Sequence, residues 1–117
     1  MAYVPKFKHL FMMLFRVQDP RVAEGLFLEG TWHHDQGDDE SARMAFSHAR
    51  ALDRHFGGAF YSYAALTEKK HGATRETLAA WRAYVAAAEN DPRQARPIVD
   101  RVRGHVAELE RQLGGKS

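Results

Sequence analysis

The chain of 117 residues carries 17 basic and 15 acidic side chains, a formal net charge of +2, and is 44% hydrophobic. That is the balance of an ordinary soluble globule, long enough for one domain over residues 1–117 and too short for two independent cores. It has no cysteine, which excludes disulfides and thiolate zinc sites, and its basic residues do not gather on one face as those of a nucleic-acid binder do.

Residues 6–18 begin with KFKHLFMMLFRV, a helix-compatible run that is apolar on nearly every side. Its longest apolar stretch, LFMMLF, is far short of a membrane span, and no small-residue cleavage site follows it. A cytoplasmic protein without membrane insertion is therefore expected. Phe7, Phe11, Met12 and Phe15 either pack on the following helices or form a self-association surface. The run breaks at Asp19-Pro20, a helix-start signal in which the carboxylate caps free N–H groups and proline takes the first helical position.

A first helix is predicted from about Arg21 to Gln36, ended by Gly37, and a second is opened by Asp38, Asp39 and Glu40 at its positive end. Residues 57–90 repeat the device, with Gly72 as the stop and Thr74, followed by Glu76, as the next start. Asp91-Pro92-Arg93 repeats the helix-start signal, and Asp91 and Gln94 have capping-box spacing. Ile98, Val102, Val106, Leu109 and Leu113 then make an apolar stripe for a terminal helix over residues 91–113. Pro97 requires that this helix either kinks or becomes regular only near Arg96.

Residues 23–56 and the stretch opening at Gly57, 34 positions after Ala23, share one pattern. The first supplies Leu26, Gly30, His33, Ala42, Phe46 and Ala49. The second supplies Phe60, Tyr63, Ala64, Thr67, Thr77, Trp81 and Tyr84. Small and aromatic residues recurring at this period resemble the tetratricopeptide repeat, a helix-turn-helix unit that stacks on its neighbours. The resemblance implies an all-α, right-handed helical solenoid: two repeats at 21–56 and 57–90, an extra N-terminal helix at 6–18, and a capping helix at 91–113. Glu29 stands where the family prefers leucine and, if buried, needs a cation such as Arg43.

No nucleophile elbow, phosphate-binding loop or dinucleotide fingerprint occurs. His33 and His34 are adjacent and point about 100° apart on a helix, and no His-x3-His pair follows that would set two rings on one face for a metal ion. Neither catalytic residues, nor a metal, nor a cofactor is expected. The resemblance instead implies a non-catalytic scaffold or adaptor that takes a peptide or partner helix on the inner face of each first helix. That face would carry Phe27, Thr31 and His34 in the first repeat and Tyr61, Ala65 and Glu68 in the second, unless the terminal helices fill it. The alternative is a homo-oligomeric building block joined through Phe7, Phe11, Met12 and Phe15.

Overall fold

The computed structural model describes residues 20–114, and among these it is helical without a strand. The helices are α1 (Pro20–Asp35), α2 (Asp39–Leu52), α3 (Gly57–His71), α4 (Arg75–Ala88) and α5 (Arg96–Gln112). None of them is long and apolar enough to cross a membrane. The expected helix over residues 6–18, with Phe7, Phe11, Met12 and Phe15, lies outside the described residues. The chain divides into two compact units, one ending at Arg54 and the other beginning at His55.

In the first unit α1 and α2 form a helical hairpin. Gly37 turns the chain at φ +83°, a conformation that favours glycine. The Asp38 carboxylate then accepts the Ser41 N–H at 3.1 Å, satisfying one of the donors that every helix start leaves open. Hydrogen bonding from Ser41, first from its side chain and then from this N–H, holds the Asp38 carboxyl below its ordinary value. Ala23 and Leu26 of α1 and Ala42, Phe46, Ala49 and Leu52 of α2 are buried. Burying one leucine such as Leu26 contributes roughly 1.5–3 kcal/mol. The helices approach closely at Gly30, where a Cβ would stand 2.5 Å from the Phe46 ring. Glu29 is only half-buried, and Arg43 pairs with Glu40 at 2.9 Å, so the expected need for a buried Glu29 partner does not arise.

The second unit repeats the hairpin and adds α5. Gly72 (φ +69°) ends α3, and the Thr74 hydroxyl caps α4 by accepting the Thr77 N–H at 3.2 Å while donating to Thr77 Oγ1 at 3.2 Å. Removing that hydroxyl by Thr74→Ala should cost about 1 kcal/mol in chemical denaturation. Thr74→Asn should restore most of the loss if capping is its cause. The core joins Ala64 of α3, Trp81 and Tyr84 of α4, and Val99, Val102 and Leu109 of α5.

Three expectations need correction here. Asp91-Pro92-Arg93 does not open a helix: α5 starts at Arg96, with Pro97 in its first turn where a missing N–H costs nothing. The capping box is not formed either, for the Gln94 side chain accepts the Tyr84 hydroxyl at 2.8 Å. Starting the helix at Arg96 also corrects the stripe, whose first buried member is Val99, while Ile98 is 38% exposed.

Candidate partner-binding surface

The three expected contact residues of α1 follow the helical period, so one side of that helix carries them all. Phe27 is half-buried, its ring tilted against Phe46 at 5.4 Å between centroids. Thr31 is exposed and donates its hydroxyl to the Phe27 carbonyl at 3.1 Å. His34 is exposed, with Nδ1 2.7 Å from the Asp39 carboxylate. Because an ionised carboxylate only accepts, Nδ1 is the donor and the ring bridges the end of α1 and the start of α2. Phe27 is thus part of the hairpin's own packing, and Thr31 and His34 are its solvent-facing members.

On α3 the corresponding residues meet a more built arrangement. Tyr61, 38% exposed, stands edge-on to Trp81 at 5.1 Å and to Tyr84 at 5.3 Å. Edge-to-face pairs of this kind add about 0.5–1.5 kcal/mol beyond the area they bury. Ala65 is half-buried and packs on the core. Glu68 accepts the Trp81 indole N–H at 2.9 Å, and His105 Nε2 lies 2.9 and 3.0 Å from its two oxygens. The His105 ring also stands edge-on to Trp81 at 5.7 Å. Glu68 is therefore a junction of α3, α4 and α5, committed to internal donors, and not a carboxylate held open for a ligand.

Sequence reasoning did not find His105. It lies 37 positions from Glu68, and no local pattern connects the two. A second junction was equally hidden. Asp91, 3% exposed, accepts the Gly57 N–H at 2.8 Å and the Arg93 N–H at 3.0 Å, and pairs with the Arg93 guanidinium at 2.8 Å. Burial pushes its carboxyl up, but the Arg93 side chain and the two backbone donors outweigh that and hold it below the ordinary value. The Arg93 guanidinium also lies over the Phe56 ring, 4.7 Å from its centroid. Tyr84 is raised, first by burial and then by Tyr61 and Asp91 nearby.

Chemically, these groups close helix junctions. His71 faces Glu76 at 3.5 Å across the α3–α4 turn, as His34 faces Asp39 across the α1–α2 turn. Among the described residues no three His, Asp or Glu side chains gather as a metal site would require. Of the expected contact residues, Thr31 and His34 in the first unit and Tyr61 in the second are exposed. No family model matches the chain, and no curated protein or solved structure matches it either.

Proposed function

We propose that this chain is a tetratricopeptide-like solenoid and a non-catalytic interaction module, a scaffold or adaptor that takes an extended peptide or a partner helix on its first helices. The observation that carries the reading is that matching positions are buried in both hairpins. Gly30 and Ala64, Ala42 and Thr77, Phe46 and Trp81, and Ala49 and Tyr84 are all buried, each pair 34 or 35 positions apart. Two hairpins that bury the same positions have the same interior, which is what stacking repeats require. Each hairpin then offers its own contact residues, Thr31 and His34 beside half-buried Phe27 in the first, and Tyr61 beside half-buried Ala65 in the second, where Glu68 holds the Trp81 indole. Aromatic side chains at such places commonly dominate the energy of an interface.

A library of displayed peptides selected on the immobilised protein tests this. Enriched sequences are expected, and their affinity should fall about tenfold, or about 1.4 kcal/mol, in Tyr61→Ala and again in Thr31→Glu. Both variants should keep the helical circular-dichroism signal of the parent. A library from which nothing is enriched, or peptides that bind the two variants as tightly as the parent, would contradict the reading.

A further inference from the structure

Tyr61 leans on two buried rings, each of which is fastened by a residue further along the chain. It stands edge-on to Trp81 at 5.1 Å and to Tyr84 at 5.3 Å. Tyr84 is fully buried, and its hydroxyl donates to the Gln94 side chain at 2.8 Å. Trp81 is 5% exposed, so its indole N–H needs an acceptor within the protein. That acceptor is Glu68, at 2.9 Å. The same carboxylate takes His105 of α5, whose Nε2 lies 2.9 and 3.0 Å from its two oxygens. An ionised carboxylate only accepts, so Nε2 carries the proton. Both rings under Tyr61 are thus secured from the C-terminal segment, one by Gln94 and the other by His105.

We propose that His105 is a positioning residue for the Tyr61 contact: through Glu68 it keeps the Trp81 indole against Tyr61, and so ties the docking of α5 to the shape of the contact surface in the second unit. Glu68, with 31% of its side chain exposed, is free to turn to water, and a donor that reaches both its oxygens keeps it inward. Without that donor the carboxylate turns out, the buried indole N–H loses its acceptor, and the ring shifts to find another. The imidazole also holds Trp81 directly, edge-on at 5.7 Å. Tyr84 stays in place on Gln94, so Tyr61 loses one of its two supports and tilts. The effect on binding rests on the interaction reading given above; the effect on the rings does not.

Nuclear magnetic resonance of the full chain tests this, with the Trp81 indole told from that of Trp32 by Trp32→Phe and the Tyr61 ring assigned with Tyr61→Phe. In His105→Ala the Trp81 Nε1–H should exchange with solvent about tenfold faster, and the Tyr61 ring signals should move. His105→Gln, whose amide extends about as far as Nε2, should restore both; His105→Asn, one methylene shorter, should not, and it carries the same readout if His105→Ala fails to fold. Arg103→Ala removes an exposed pair between α5 and Glu89 at 2.8 Å and should leave both signals in place. Peptides enriched on the parent should bind His105→Ala about fivefold more weakly and His105→Gln as the parent does. Tyr61 signals that stay put in His105→Ala, that move as far in Arg103→Ala, or that His105→Gln does not restore would overturn the proposal, and peptide affinity unchanged in His105→Ala would overturn its last step. The ring signals need no peptide, so their failure is distinct from a library in which nothing is enriched.

Discussion

Gly30→Val is expected to destabilise the first hairpin by about 3 kcal/mol, the upper part of the range for overpacked interiors. A Cβ at this position would lie 2.5, 2.7 and 2.9 Å from three carbons of the Phe46 ring. Phe46 cannot simply swing aside, since it is 3% exposed and its ring is packed on Phe27. Gly30→Ala separates the two opposing effects. Alanine gains about 1 kcal/mol of helix propensity over glycine, so any net loss measures the clash. Shortening the facing side chain with Phe46→Leu should make the Gly30→Ala change cheaper than in the parent, a coupling that a double-mutant cycle in urea would reveal. If Gly30→Ala turns out more stable than the parent, the close approach of α1 and α2 is wrong.

Asp91→Ala is expected to cost about 3 kcal/mol, because it leaves the buried Gly57 N–H with only the His55 carbonyl at 3.0 Å and removes the partner of Arg93. The pH dependence carries a definite sign. The folded carboxyl titrates below its unfolded value, so the stabilisation is fully present above the ordinary carboxylate range. It is lost as the pH falls through the depressed folded value. The stability difference between the parent and Asp91→Asn should accordingly be flat above about pH 5 and shrink below about pH 4. A difference that stays constant into strong acid, or that widens there, would show that the carboxylate is not the group responsible.

The residues that disclosed the fold beforehand are those whose partners are near in sequence. Gly37 and Asp38, and Gly72 and Thr74, act on N–H and C=O groups within a few positions, so local rules suffice to place both turns. The repetition of small and aromatic residues disclosed the hairpin interiors for a similar reason, since helical spacing turns sequence period into a face. Asp91 shows where such rules end. Its carboxylate reads locally as a cap for a helix of its own, but the donor it serves is the Gly57 N–H, 34 positions back, and no rule limited to one turn can see that. Glu68 lies in α3, and its hydrogen bonds go to Trp81 and His105, which arrive from two other helices. The misplacement of Ile98 follows from the helix start: with α5 beginning at Arg96 and not at Pro92, the buried side is led by Val99.

The proposal that the chain is a repeat solenoid of two like hairpins is tested most directly in solution by residual dipolar couplings of backbone amides in α1 to α4. The account predicts that all four helices report one common alignment tensor, with a single right-handed rotation carrying α1 and α2 onto α3 and α4. Separate tensors for the two hairpins, or a relation between them that does not map the first pair onto the second, would contradict it.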